Sequence, residues 1–228
     1  MTKPRFAPWR RRGFLQTTLL SLGSFLPGIS SAAGRCVNTP STEDGPLYPA
    51  EEMPWSSDLT TVAGQDGVAS GQIAYLFGQV KNVACEPVSD ATVEIWQADS
   101  KGYYKHPRHT APEGLDPCFQ YFGKVRVDSE GRYLIKTIVP SWYRIFDIER
   151  AAHIHMKVRS PSNGVLTSEV YFPGTDQDHK RETDPVYQSR RNKDLLIVPE
   201  DGRQQDLGLD LPNDPDVAYC RFDVMYRL

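Results

Sequence analysis

The chain is predicted to be mainly β: a β-sandwich of mixed and antiparallel strands with long loops that carry the chemistry. Short runs rich in Val, Ile, Tyr and Phe recur along it, each bounded by turn residues. No stretch shows the periodicity of a long amphipathic helix, and the 18 Pro and 17 Gly are spread out, not clustered. Short strands at such spacing read as a sandwich, and dispersed Pro and Gly read as turns.

Taken in order, residues 34–70 are rich in Pro, Gly, Ser and acids and read as an extended arm; the sandwich occupies 71–228. Strand signals follow at 72–80, 91–97, 124–127, 132–139, 153–159, 165–172, 195–198 and 217–227. Asp128-Ser129-Glu130-Gly131 is a turn between two of them, and Pro173-Gly174 ends another. Two stretches with little periodicity, 98–122 and 140–152, are long loops, the usual place for function on a rigid β scaffold. There is no internal repeat.

Residues 1–33 form a separate segment. They hold Lys3, Arg5, Arg10, Arg11 and Arg12 and no acid, then an apolar run over 14–29, then Ser30-Ser31-Ala32-Ala33-Gly34. That is signal-peptide organisation, with cleavage expected after Ala33. Gln16, Thr17, Thr18, Ser21, Ser24 and the Pro27-Gly28 break make the run too short and too polar to span a bilayer, so no stable membrane insertion is expected after cleavage. Arg11-Arg12-Gly13-Phe14-Leu15-Gln16 resembles the twin-arginine export motif, which implies a periplasmic or secreted protein. Setting these residues aside removes five of the 26 basic groups. The remaining 21 face 29 acids, net −8, against −3 for the whole chain. Such an acidic body lacks the basic footprint of nucleic-acid binding.

Cys36, Cys85, Cys118 and Cys220 all lie in the exported part. An oxidising compartment lets four cysteines pair, in any of three connectivities. Cys36–Cys85 with Cys118–Cys220 is the expected pairing: one pins the arm to the turn before Ala91, the other ties the loop after Tyr104 to the last strand. There is no CxxC and no Cys/His cluster, so a thiolate zinc site is not expected.

Five histidines are available: His106, His109, His153, His155 and His179. In His153-Ile154-His155, a strand puts both imidazoles on one face about 7 Å apart, a spacing from which they can converge on one metal. Alone, the pattern more often marks solvent-facing or core polar residues. Tyrosine is the second signal, with 11 residues. Tyr104 and Tyr143 sit in Gly102-Tyr103-Tyr104-Lys105-His106 and Ser141-Trp142-Tyr143-Arg144, within the two long loops. A tyrosine in a β protein is ordinarily a packing residue with its hydroxyl bonded at the rim. As phenolate, however, it is a hard anionic donor that suits ferric iron, and two phenolates with two imidazoles leave a fifth position open. A copper site would want Cys or Met beside His, and Met1, Met53, Met156 and Met225 show no such spacing with a cysteine and a histidine. A binding module for aromatics or carbohydrate, without catalysis, is the competing reading.

Several ordered motifs together resemble the intradiol ring-cleavage dioxygenases. They are Glu43-Asp44-Gly45-Pro46-Leu47-Tyr48, Ala91-Thr92-Val93-Glu94-Ile95-Trp96-Gln97-Ala98-Asp99, Gly102-Tyr103-Tyr104, Leu115-Asp116-Pro117, Gly131-Arg132-Tyr133, Thr137-Ile138-Val139-Pro140-Ser141-Trp142-Tyr143 and Arg150-Ala151-Ala152-His153-Ile154-His155. The exported group within that family is the most similar in pattern. The resemblance implies non-haem Fe(III) held by Tyr104, Tyr143, His153 and His155, with Arg150 as the active-site arginine. Tyr143 is implied to leave the metal and act as a base when a catechol arrives. The implied reaction opens a catechol with O2 between its hydroxylated carbons, giving a muconate-type diacid. Tyr48, Trp142 and Glu169 are expected to touch substrate, and Trp96 to pack. A salt bridge to Glu149 or Asp147 is the structural alternative for Arg150. His106 and His109 are expected at the surface or cleft mouth, and His179 in a solvated charged loop. A homo-oligomer is compatible with the sequence. Two departures stand out. Glu169, in Ser168-Glu169-Val170-Tyr171-Phe172, occupies the place of a glutamine in the protocatechuate enzymes. Arg144-Ile145 replaces the Pro-Trp that follows their tyrosine.

Overall fold

A computed structural model describes residues 36–174, 180–199 and 207–226. The expected signal segment and His179 lie outside the described residues. No helix among the described residues is long and apolar enough to cross a membrane.

Two four-stranded sheets make the body. In the first, β1 (Ile73–Lys81) pairs antiparallel with β4 (Arg132–Ile138) on one side. On its other side it pairs parallel with β9 (Ala218–Arg221) and β10 (Val224–Met225). The second sheet is antiparallel throughout, in the order β3 (Phe122–Arg126), β2 (Thr92–Gln97), β7 (His153–Ser160), β8 (Gly164–Tyr171). Leu76 and Ile135 from the first sheet and Val93, Ile95, Ile154, Met156 and Val158 from the second are buried in one hydrophobic core. Buried Gln97 bridges the layers, donating to the Ile138 carbonyl at 3.0 Å and accepting from the Thr137 hydroxyl at 2.7 Å. The expected mixed and antiparallel sandwich is therefore present.

The arm is extended but fastened to both sheets. Thr42 N–H donates to the Thr167 carbonyl (2.8 Å), and Leu59 N–H to the Lys136 carbonyl (2.8 Å). Asp44 pairs with Lys157 and accepts from the Thr167 hydroxyl at 2.7 Å. These contacts hold Gly45 and Tyr48 against β7.

Four expectations are corrected. The expected strand at 195–198 is mostly a 3-10 turn, Lys193–Leu196, entered through left-handed Asn192, and only Ile197 bridges to Tyr171. The last strand is broken in two, because Phe222 N–H binds the Phe77 carbonyl while its own carbonyl accepts from the Tyr133 hydroxyl (2.5 Å). The loop 140–152 contains a hairpin, β5 (Tyr143–Ile145) with β6 (Ile148–Arg150). It turns at Phe146 and Asp147, both at positive φ (47° and 64°), with no glycine to signal the tight turn. Finally, Cys36–Cys85 is a disulfide, but Cys118 and Cys220 are free thiols. Register explains the last: Cys220 pairs opposite Leu76 and is buried, whereas Cys118 lies beside Gly67 and Asp66 in the outer loop. Past these elements, a short helix α1 (Pro185–Gln188) begins at an Asp184 cap.

Candidate metal centre

His153 and His155 open β7, and strand alternation puts both rings on one buried face. Their Nε2 atoms are 3.1 Å apart. His153 Nδ1 lies 2.6 Å from the Ala151 carbonyl, which can only accept, so the proton sits on Nδ1 and Nε2 keeps its lone pair. Trp96, on β2, stacks flat on His155 (4.8 Å, 2°) and fixes that ring. Burial, with Arg150 nearby, lowers His153 to about 4; burial and its neighbour His153 push His155 well down too. Both are neutral donors at physiological pH.

Tyr104 is delivered by a loop that Asp99 organises. Asp99 Oδ1 accepts from the N–H groups of Lys101 and Tyr103 (both 2.9 Å), and Oδ2 from the Tyr121 hydroxyl at 2.8 Å. Its carbonyl accepts from Ser141 N–H at 3.0 Å, which brings in the loop before Tyr143. The loops abut at Gly102 (φ +88°), where a Cβ would stand 2.4 Å from the Trp142 carbonyl oxygen. Only glycine fits that approach. The rings of Tyr104 and Tyr143 are consequently 4.9 Å apart, with Tyr143 5.5 Å from His153 and Tyr104 6.3 Å from His155.

Arg150 pairs opposite Tyr143 across the hairpin and is buried. Its Nε donates to both Asp184 oxygens (3.2 and 3.1 Å). Nη2 donates to Glu169 (2.9 Å) and the Tyr171 hydroxyl (3.2 Å), and Nη1 to Tyr143 Oη at 3.5 Å. The expected alternative partners are not used: Glu149 alternates to the outside of the strand and pairs with Arg144 and Lys180. Glu169, opposite His155 on β8, has oxygen within 3.8 Å of His153 and 3.9 Å of His155. Burial alone would raise its carboxyl, but the neighbouring imidazoles and charged Arg150 outweigh that and hold it at about 2. With one oxygen accepting from Arg150 and the other from Tyr171 (3.0 Å), Glu169 is an electrostatic neighbour of the two histidines.

The donor set fits a hard trivalent cation. Two imidazole Nε2 atoms face each other, and the buried Tyr104 hydroxyl has no hydrogen-bond partner. A buried polar atom left unpaired is costly unless something absent from the protein itself binds there. Burial raises Tyr143 to about 12 and Tyr104 well above its ordinary value, so both phenols stay protonated until a cation draws the proton off.

The residues expected at substrate lie around this centre. Tyr48 packs edge-on to Trp96 (4.9 Å), its hydroxyl donating to Glu94 at 3.0 Å. Gly45 (φ +70°) lies over His155, where a Cβ would be 3.4 Å from Cε1. Trp142 is 39% exposed at the rim, with Lys180 Nζ 3.8 Å from its ring centre. A cleft of about 510 Å³ is lined by Arg108, His109, Trp142, Tyr143, Arg144 and Phe146. His109 lies in its wall, and His106 accepts from Arg108 N–H at 3.1 Å. Sequence reasoning missed Asp184, although Asp184-Pro185 is a readable helix start. It also missed Arg181, which is buried and donates to the Phe172 carbonyl although the run around it was expected to be solvated.

The chain is similar to known proteins over most of its length. A family model described as "Dioxygenase" matches residues 43–225. The chain is 32% identical over 192 residues to the protocatechuate 3,4-dioxygenase beta chain of Burkholderia cepacia, covering 80% of this chain and 76% of that one. It is 30% identical to a catechol 1,2-dioxygenase of a Pseudomonas strain, covering 65% of this chain but only 52% of that relative's length. Among solved structures, catechol 1,2-dioxygenase from Acinetobacter sp. ADP1, inhibited by bound mercury, superposes with a TM-score of 0.57 at 25% identity, covering 82% and 62% of the two chains.

Proposed function

Because the chain belongs to the intradiol dioxygenase family, whose model runs over residues 43–225, we propose that it is a non-haem iron(III) enzyme that opens a catechol ring with O2 between the two hydroxylated carbons. The observation that carries this reading is the convergence of Tyr104, Tyr143, His153 and His155 in one buried cluster. His153 and His155 would hold the metal through Nε2, and Tyr104 and Tyr143 through their phenolic oxygens. Bound ferric iron supplies Lewis acidity and a template for two catechol oxygens.

The protein's own contribution is orientation, proton handling and shielding. Ala151 sets the His153 tautomer, and Trp96 sets the His155 ring plane. Tyr143 Oη is the atom that takes up a substrate hydroxyl proton, and Arg150 Nη1 orients it. Arg150 also places a fixed positive charge beside the ring, anchored from behind by Asp184. Gly45 leaves room next to His155, and Tyr48 and Trp142 border the approach.

The substrate reading is a catechol without a ring carboxylate. Glu169 and Asp184 set two buried negative charges against the single charge of Arg150, which disfavours a further anion. A higher kcat/KM for protocatechuate than for catechol would remove that reading. Export by the twin-arginine route to the periplasm or beyond is proposed from Arg11-Arg12 and the Cys36–Cys85 disulfide. If replacing both arginines by lysine left export unchanged, the route would be wrong.

The test of the activity is a visible spectrum of purified protein before and after anaerobic addition of catechol. A red-brown phenolate-to-iron(III) band that shifts with catechol is expected. Stoichiometric iron without colour would overturn the tyrosine assignment. Failure to take up iron even on reconstitution would favour the binding-module alternative.

A further inference from the structure

We propose that His109 latches together the two loops carrying Tyr104 and Tyr143 and is a positioning residue for both phenols. The latch itself rests on one hydrogen bond and one ring contact of the protein; its consequence for chemistry rests on the iron reading above.

The two phenols arrive from different parts of the chain. Tyr104 lies in an irregular loop, and Tyr143 begins β5, whose pairing partner is β6. Their relative position must therefore be set by contacts between loops. One such contact is backbone: Ser141 N–H to the Asp99 carbonyl at 3.0 Å, next to the close approach of Gly102 and Trp142. That contact lies on the near side of both tyrosines in the chain. His109 supplies the connection on the far side.

Tyr104 N–H donates to His109 Nδ1 at 2.9 Å. Nδ1 is thus an acceptor, and the neutral ring carries its proton on Nε2. The same ring lines the cleft together with Tyr143 and Arg144 of the other loop. One imidazole therefore grips the main chain of one phenol residue and packs against the ring of the other. It also faces both side chains: its ring centre is 5.8 Å from Tyr104 and 6.0 Å from Tyr143, at interplanar angles of 58° and 65°. A histidine serving only to fill the loop would need none of these. The half-buried setting keeps water from taking over that bond. Positioning groups of this kind matter because misplacing a reacting group by about 1 Å costs up to about 100-fold in rate.

The test uses His109→Ala, which removes the latch, and His109→Gln, whose uncharged amide can accept from Tyr104 N–H and fill the space beside Tyr143. The first readout needs no iron: amide hydrogen exchange of Tyr104 in the metal-free protein. Exchange about tenfold faster or more is expected in the alanine variant, with protection largely restored by glutamine. The second is the phenolate-to-iron band of the loaded protein. The alanine variant is expected to keep iron while its band shifts and kcat falls about tenfold, and glutamine to restore both. An alanine variant with wild-type exchange and a wild-type band would overturn the proposal. If alanine fails to fold, glutamine decides: wild-type exchange and band support the latch, and an altered pair overturns it. A wild-type protein without the coloured band would remove the iron reading instead, and the exchange result would still judge the latch.

Discussion

Asp184 is the least visible part of the centre in sequence, and replacing it makes a quantitative test. It is fully buried and accepts five hydrogen bonds: two from Arg150 Nε, and one each from Ala151, Val186 and Tyr187 N–H. Asp184→Ala strands a buried guanidinium, whose remaining carboxylate partner among the described residues is Glu169. Breaking a buried pair by removing one partner costs about 3–5 kcal/mol. Losing the helix cap adds about 1 kcal/mol. The shared site makes the sum less than additive, so about 4 kcal/mol is expected. Asp184→Asn keeps one oxygen for the Val186 and Tyr187 N–H groups but turns an amide toward Ala151 N–H and Arg150. It should lose about 2–3 kcal/mol. Urea unfolding followed by tryptophan fluorescence gives both values at unchanged slope. A loss below 1 kcal/mol in the alanine variant would refute the claim that Asp184 anchors Arg150.

Further outcomes follow from the same geometry. Tyr104→Phe or His155→Ala should remove iron or its colour while leaving the fold, measured by metal analysis and absorption; full iron and activity in either would sink the ligand assignment. Gly102→Ala must place a Cβ 2.4 Å from the Trp142 carbonyl at φ +88°. It should cost about 2–4 kcal/mol in urea unfolding and spread the two loops; a neutral effect would mean the loops do not need that approach. In the metal-free protein, His153 sits at about 4 against 6.5 for a free imidazole. The unfolded chain then takes the proton first, so stability is full above pH 6.5 and falls as pH drops toward 4. The total is about 3 kcal/mol from this group, and His155 acts in the same direction. Denaturation midpoints that stay flat from pH 7 to 4.5 would contradict a neutral buried imidazole.

Local physics made much of this protein readable from sequence. Alternating β-rich runs and spaced turn residues specify a sandwich, because side-chain period and turn chemistry are properties of neighbouring residues. His153-Ile154-His155 is readable for the same reason: a strand fixes i and i+2 on one face wherever the strand goes. The tyrosines stood out by type and by their ordered motifs, and Cys36–Cys85 was one of the pairings the count allowed. Tertiary structure alone decided the rest, since it depends on which distant segments meet. Phe146 and Asp147 turn a hairpin without a glycine, and the last strand breaks where Phe222 meets Phe77 and Tyr133. Cys220 is held in the core by its register against β1 and, like Cys118, is a free thiol. Arg150 finds Glu169 and Asp184, which lie far along the chain, instead of Glu149 beside it, because a strand sends consecutive side chains to opposite faces. His109 meets both Tyr104 and Tyr143 only because two irregular loops are packed together. Sequence thus determined the donor types and the scaffold; their convergence, their partners and their protonation were set by burial and by long-range contact.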